Sequence, residues 1–326
     1  LRGRRAAHRV DDAAMTVRHP THPNREYVVS KKFYGAMPAL ITPFDARGEV
    51  DVPKLRTFVQ WLLPRVQGLY VCGSYGSQPL MRDDQCRLVA ETVMQECQGK
   101  DATIIVHVGH PSTDITIDLA RHAASIGAHG AASLTPYYYL HGPQAVTDHF
   151  KALIDAVGAR IPVYLYNNPK YTNYCVTGEQ IGELAAYGLK GLKDSSTSIQ
   201  LFYNCIAAVK EQDFVFLVGS QTMLYPCLSA GGQGCVSGMS NLFPGLVNSI
   251  FDAAAGGDNK RAVALQQEAN ALRHLTGSGI PVPFYHEAIK YRWGIDIGMP
   301  RRPLQPLGAE AAARVRATLD RFPHLT

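Results

Sequence analysis

The chain has 326 residues, 46% of them hydrophobic and 18% charged, which is enough apolar material for a large core and excludes a disordered chain. Its formal charge of +5 lies wholly in residues 1–34, which carry eight Lys and Arg and three acids; the remainder is balanced, so nothing marks the body as a nucleic-acid binder. No run approaches the roughly 18 apolar residues of a membrane span, and 29 glycines and 20 prolines are ordinary for this length, which excludes collagen-like and low-complexity classes.

The basic tail, residues 1–34, lacks the apolar stretch of a secretory signal. It reads as a partly disordered start, with an Arg-rich organelle presequence as the alternative. Residues 35–44 are apolar and end at Thr42-Pro43, and residues 53–66 have helical apolar spacing through Leu55, Phe58, Trp61 and Leu62. Strand-like runs then follow at 68–72, 103–108, 131–135, 162–166, 188–193, 214–218 and 234–237. Helical segments separate them at 83–98, 113–126 (with Ser112 as N-cap), 143–157, 178–187, 198–211 and 223–230, and a last one starts at Pro244.

Eight strands, each followed by a helix and apolar without alternation, are expected to be covered on both faces. They predict a (β/α)8 barrel over residues 35–256, with a doubly wound open sheet as the rival. Helical patterns at 260–276, 282–293 and 310–322 predict a C-terminal extension over residues 257–326. Seven scattered cysteines, odd in number and without C-x-x-C, read as small buried hydrophobes of a reduced, cytoplasmic protein.

Catalytic groups in a barrel stand at the C-terminal ends of its strands. Lys193 ends an otherwise apolar strand. A buried ammonium is costly, so burial there would yield the neutral amine that carbonyl attack requires. A solvated lysine paired with Asp194 is the plain alternative. Tyr138 and Tyr166 end the two preceding strands, and a phenol beside an amine can shuttle the protons of carbinolamine formation. Ser74 and Tyr75 lie in the glycine-flanked turn Gly73–Gly76, whose amides suit a carboxylate or phosphate. Thr42 and Val236, on the first and last strands, join the candidate substrate-binding set. His107 and His110 have zinc-like i, i+3 spacing but no third ligand at a neighbouring strand end, so no metal and no other cofactor is expected.

Taken together, Ile41–Phe44, Gly73–Gly76, Thr135–Tyr138, Tyr166–Pro169, Gly191–Asp194, Gly231–Gly234 and Arg302–Leu307 resemble the dihydrodipicolinate synthase / N-acetylneuraminate lyase family of class I aldolases. The resemblance implies a tetrameric barrel with a three-helix extension, and a Schiff base between Lys193 and pyruvate or a longer 2-oxo acid. It implies Tyr166 as the proton-transfer tyrosine, Ser74 and the Tyr75 amide as the carboxylate site, and Tyr138 as a tyrosine reaching into a neighbouring subunit. Two departures bear on substrate. Tyr75 and Ser77 replace a hydroxyl residue and an acid, and Tyr171 stands where synthases carry the arginine that grips the second substrate. The expectation is a pyruvate-releasing lyase or aldolase. A dihydrodipicolinate synthase, a 2-oxo acid dehydratase or deaminase, and a non-catalytic anion-binding barrel are the alternatives.

Overall fold

The computed structural model describes residues 15–19, 22–29, 33–211, 213–275 and 282–325. Within the tail, β1 (Met15–His19) and β2 (His22–Val29) pair as an antiparallel ribbon, which the sequence reading did not anticipate. Residues 1–14, 20–21 and 30–32 of that tail lie outside the described residues.

The apolar runs form parallel strands: β3 (Ala36–Pro38), β4 (Gly68–Val71), β5 (Thr103–His107), β6 (Gly130–Leu134), β7 (Val163–Asn167), β8 (Gly191–Asp194), β9 (Val215–Val218) and β10 (Gly234–Ser237). Between and after them run α1 (Val52–Leu62), α2 (Asp83–Glu96), α3 (Thr113–Ser125), α4 (Pro143–Val157), the single turn α5 (Pro169–Thr172), α6 (Gly178–Tyr187), α7 (Ile199–Ala208), α8 (Leu224–Ser229) and α9 (Pro244–Ala255). The sheet runs β3-β10-β9-β8-β7-β6-β5-β4, and a parallel bridge between Ala39 and Tyr70 joins its two ends. That closure is a (β/α)8 barrel and removes the open doubly wound sheet.

Side chains alternate across each strand, so the core has two compartments. Met37, Tyr70, Ile105, Ala132, Tyr166, Leu217 and Val236 fill the barrel, while Leu69, Ile104, Val163, Leu192 and Phe216 pack outward with the helices. Helix starts follow local chemistry. Asp51, Thr177 and Ser198 accept from the amides of Lys54, Gln180 and Leu201, each at 3.2 Å. Ser112 differs from expectation. It holds the N-cap position of α3, but its carbonyl rather than its hydroxyl is used, accepting from the Thr116 amide at 3.1 Å and the Thr116 hydroxyl at 3.0 Å.

The last segments are α10 (Asn259–Leu275), α11 (Val282–Trp293) and α12 (Ala309–Leu319). Gln266 ties α10 to the loop beyond β9: its amide donates to the Gln221 carbonyl at 2.7 Å and its oxygen accepts from the Tyr225 amide at 2.8 Å. Arg273 lies two helical turns further along the same face of α10, which carries it to the C-terminal mouth of the barrel.

Three buried histidines make the fold acid-sensitive. Burial lowers His107 to about 3 and His149 and His286 to about 4. Between those values and the ordinary 6.5, the unfolded chain binds protons that the folded one does not, so stability is complete above pH 6.5 and falls as pH drops toward 4. Each histidine adds up to about 1.4 kcal/mol per pH unit. Urea midpoints between pH 7 and 4 are expected to fall steeply, and His149→Gln should flatten the slope. An unchanged slope would mean that His149 is protonated in the folded state.

Candidate active site

The GLKD run of β8 places successive side chains on opposite faces, so Lys193 points into the barrel and Asp194 outward. Lys193 stands in register with Tyr166 of β7, and Asn167 with Asp194. The outward pair is a latch. Asn167 Nδ2 donates to Asp194 Oδ1 at 2.7 Å, and the Ser196 hydroxyl donates to Oδ2 at 2.7 Å. Burial raises Asp194 above the usual carboxylate range, and these hydrogen bonds oppose that rise. The latch holds the ends of two adjacent strands together beside the inward pair.

Lys193 is 3% exposed. Its Nζ lies 3.8 Å from the ring centroids of both Tyr70 and Tyr166. Burial drives its pKa well below that of a solvated lysine, with Cys235 opposing the shift to a smaller degree. The alternative of a solvated Lys193 paired with Asp194 therefore fails: the two side chains face opposite ways, and the amine is desolvated.

The Tyr166 hydroxyl sits in a web of polar groups. Asn168 Nδ2 donates to it at 2.9 Å, the Ser195 hydroxyl approaches at 3.5 Å, and Ser74 is near enough to lower its pKa. Burial raises the Tyr166 pKa, and these three partners pull it back. Ser195 reaches this position because residue 219 is glycine: a β-carbon there would come within 1.8 Å of Ser195 Oγ. The turn carrying Ser74 has left-handed backbone at Cys72 (φ 57°) and Ser77 (φ 60°), which folds it back over the barrel mouth.

Tyr75 lies edge-on to Tyr285 with ring centroids 5.6 Å apart. Its ring occupies space that only glycine leaves at position 238, where a β-carbon would approach it to 2.3 Å. Burial raises the Tyr75 hydroxyl and also those of Tyr171 and Tyr285, and the positive charge of Arg273 acts on all three. Tyr171, 37% exposed on α5, carries Lys170 Nζ 5.6 Å from its ring centroid. The guanidinium whose charge reaches these tyrosines stands on α10, and position 171 carries none.

Thr42 is buried with its hydroxyl lacking a hydrogen-bond partner among the described residues, as is the hydroxyl of Thr135. Val236 lies in the barrel interior with Leu217 and Tyr166. Lys193, Tyr166, Ser74, Tyr75 and Val236 therefore converge on the closed end of the mouth, and Tyr171 lines its rim. Tyr138 does not join them within one chain. It is 83% exposed, has φ 82°, and makes its ring contact with Tyr139.

His107 is in the barrel, but not as a ligand. The Leu134 amide donates to its Nε2 at 3.1 Å, so Nδ1 carries the proton and donates to the Cys72 carbonyl at 3.1 Å. Both ring nitrogens are engaged. His110 Nδ1 accepts from the Ser112 amide at 3.0 Å, and the described residues contain no group of three or more potential metal-binding side chains. Sequence reading left Asn168, within the Tyr166–Pro169 run, and Ser195, at the strand end beyond Lys193, without a role, and it missed Tyr70 and Arg273. Only Tyr70 carried a local signal, as the one polar aromatic in a strand that is otherwise aliphatic and glycine.

Three comparisons agree with this geometry. The model of the dihydrodipicolinate synthetase family matches residues 32–322. A 4-hydroxy-tetrahydrodipicolinate synthase of Thermomicrobium roseum is 35% identical over 293 residues, 89% of this chain and 95% of that one. A DapA-like lyase of Halobacterium salinarum is 32% identical over 288 residues, 88% and 93% of the two chains. Among solved structures, Escherichia coli K12 YagE, a prophage protein of the dihydrodipicolinic acid synthase family in complex with pyruvate, is similar with a TM-score of 0.84 and 26% identity, covering 89% of this chain and 98% of that one.

Proposed function

The chain belongs to the dihydrodipicolinate synthetase family, and from that membership we propose that it is a Schiff-base-forming lyase of the class I aldolase type in which Lys193 condenses with pyruvate or a pyruvate-yielding 2-oxo acid. The observation that carries the assignment is the desolvated amine of Lys193, held against a hydrogen-bonded phenol.

The chemistry follows from the groups present. The Nζ lone pair attacks C2 of the 2-oxo acid. Tyr166 passes a proton to the developing alkoxide, recovers one from the nitrogen, which became an ammonium on attack, and passes it to the hydroxyl that leaves as water. The resulting iminium draws the electrons of the C3–C4 bond toward nitrogen as that bond breaks, while the C4 hydroxyl gives its proton to the Tyr166 oxygen and C4 leaves as a carbonyl, so an enamine remains. Protonation at C3 and hydrolysis release pyruvate and restore the amine. Ser74 and Ser195 flank the Tyr166 hydroxyl and relay its proton. The turn amide at Tyr75, with Ser74 and Thr42, holds the substrate carboxylate. Tyr138, exposed in one chain, serves the site of a neighbouring copy in a homotetramer. Dehydration or deamination at C3 would use the same enamine. The non-catalytic barrel is disfavoured, because a buried lysine destabilises a fold that has no use for it.

Release of pyruvate from a panel of 2-oxo acids, read by coupled lactate dehydrogenase, tests the reading. The Tyr166→Phe variant is expected to lose about 10²–10⁴-fold in kcat while pyruvate still adds to Lys193 at equilibrium. Unchanged kcat would remove Tyr166 from proton transfer.

A further inference from the structure

We propose that Tyr70 and Tyr166 form an aromatic clamp for the reacting nitrogen, and that the ring face of Tyr70, rather than its hydroxyl, stabilises the cationic iminium on Lys193. The inference rests on Lys193 being the condensing amine. It starts from one distance found twice: Nζ is 3.8 Å from the ring centroid of Tyr70 and 3.8 Å from that of Tyr166. A cation over an aromatic face within about 6 Å is attracted by the ring quadrupole, most strongly where water is excluded.

Tyr70 is held for this purpose by its surroundings. It is fully buried at the third position of β4. Its ring lies edge-on to Tyr166 and tilted against His107, with both centroid separations 6.0 Å. A β-carbon at Gly73 would come within 2.9 Å of it, so the following turn is packed against the ring. Its hydroxyl has no hydrogen-bond partner among the described residues. What Tyr70 presents to the amine is therefore its face. The Tyr166 hydroxyl, by contrast, is engaged by Asn168 and Ser195. The two rings thus differ in role, one moving protons and the other supplying only its π-surface.

The titratable groups around Nζ leave the clamp as its main source of negative potential. Tyr70 faces it from β4, His107 from β5, Tyr166 from β7 and Cys235 from β10. His107 is neutral with both nitrogens engaged, and burial raises the Cys235 thiol to about 12 and raises both phenols. Among the described residues no carboxylate faces the nitrogen, because Asp194 is turned outward to Asn167 and Ser196. Desolvation favours the neutral amine in the resting enzyme, and the clamp then offsets the cost of the positive charge that appears on condensation. Stabilisation of a charge that develops during the reaction is the kind that accelerates it.

The test is borohydride trapping of the whole chain across pyruvate concentration and pH, for the wild type, Tyr70→Phe, Tyr70→Leu and Tyr70→Met. Tyr70→Leu is expected to raise the half-saturating pyruvate roughly tenfold, the size of one desolvated cation–π contact. It should also move the acid-side midpoint of trapping down by about one pH unit, because the free ammonium loses the same contact. Tyr70→Phe keeps the face and should stay within about twofold of wild type on both readouts. Tyr70→Met carries the test if Tyr70→Leu fails to fold. A loss in Tyr70→Phe equal to that in Tyr70→Leu would assign the effect to the hydroxyl and overturn the clamp. So would weaker binding in Tyr70→Leu or Tyr70→Met with an unmoved midpoint, the signature of a cavity alone. If wild type itself gave no adduct on Lys193, the Schiff-base reading would fail instead, so the two failures are distinguishable.

Discussion

Pyruvate followed by borohydride is expected to leave a reduced three-carbon adduct on Lys193 and on no other lysine, seen by peptide mass. Selectivity follows from desolvation. Lys193 is buried, and its pKa is driven well below that of a solvated lysine, so its neutral form is far more available. Lys190, three residues earlier, is half-buried at the surface and paired with Asp213 at 2.8 Å, so it lacks the desolvation that sets Lys193 apart. The same contrast sets the pH dependence. Trapping should rise with pH as Lys193 loses its proton, and it should fail on the acid side as that proton returns. Lys193→Ala should lower kcat by at least about 10³-fold, since the covalent path disappears rather than weakens. Lys193→Met keeps the volume and should be equally inactive yet folded, with a melting temperature no lower than wild type because it removes a desolvated amine. An adduct on Lys190, or none, would sink the assignment of the nucleophile.

The second large effect concerns the other substrate. With pyruvate and aspartate semialdehyde, the efficiency is expected to fall roughly 30- to 1,000-fold below that of a matched synthase. The resemblance puts the gripping arginine of the synthases at position 171, where this chain has tyrosine. A carboxylate without its bidentate guanidinium loses a charge-assisted pair of about 2–4 kcal/mol. Lys170 cannot replace it, being a point charge whose Nζ lies 5.6 Å from the Tyr171 ring centroid. Tyr171→Arg should recover part of the loss. An efficiency on the order of 10⁵ M⁻¹s⁻¹ in the unaltered chain, ordinary for an enzyme, would favour the synthase reading that the Thermomicrobium roseum relative supports. Arg273, whose charge acts on Tyr75, Tyr171 and Tyr285, would then be the guanidinium to replace, and Arg273→Ala would abolish that efficiency.

The order of strands and helices was legible in the sequence because it is written in local pattern. Continuous apolar runs specify strands covered on both faces, and the intervening segments repeat at the helical period. The boundaries of α4, α6 and α11 could be read directly. Lys193 was legible for the same reason: a charged residue closing an apolar strand breaks the local pattern. Alternation along β8 even separates Lys193 from Asp194 without a structure. Local pattern could not supply the neighbours of that amine. Tyr70 and Lys193 lie on strands far apart in the chain, and they meet only because the Ala39–Tyr70 bridge closes the sheet. The charge of Arg273 reaches Tyr75, Tyr171 and Tyr285 through the packing of α10, which Gln266 ties to the loop beyond β9. The tautomer of His107 depends on an amide of β6 and a carbonyl that follows β4. The sequence by itself therefore determined which residue types stand at each strand end. Tertiary structure alone decided which of them meet and how dry the site is, because desolvation and electrostatic coupling depend on distances through space, set by the closed barrel and the helix packed over its mouth.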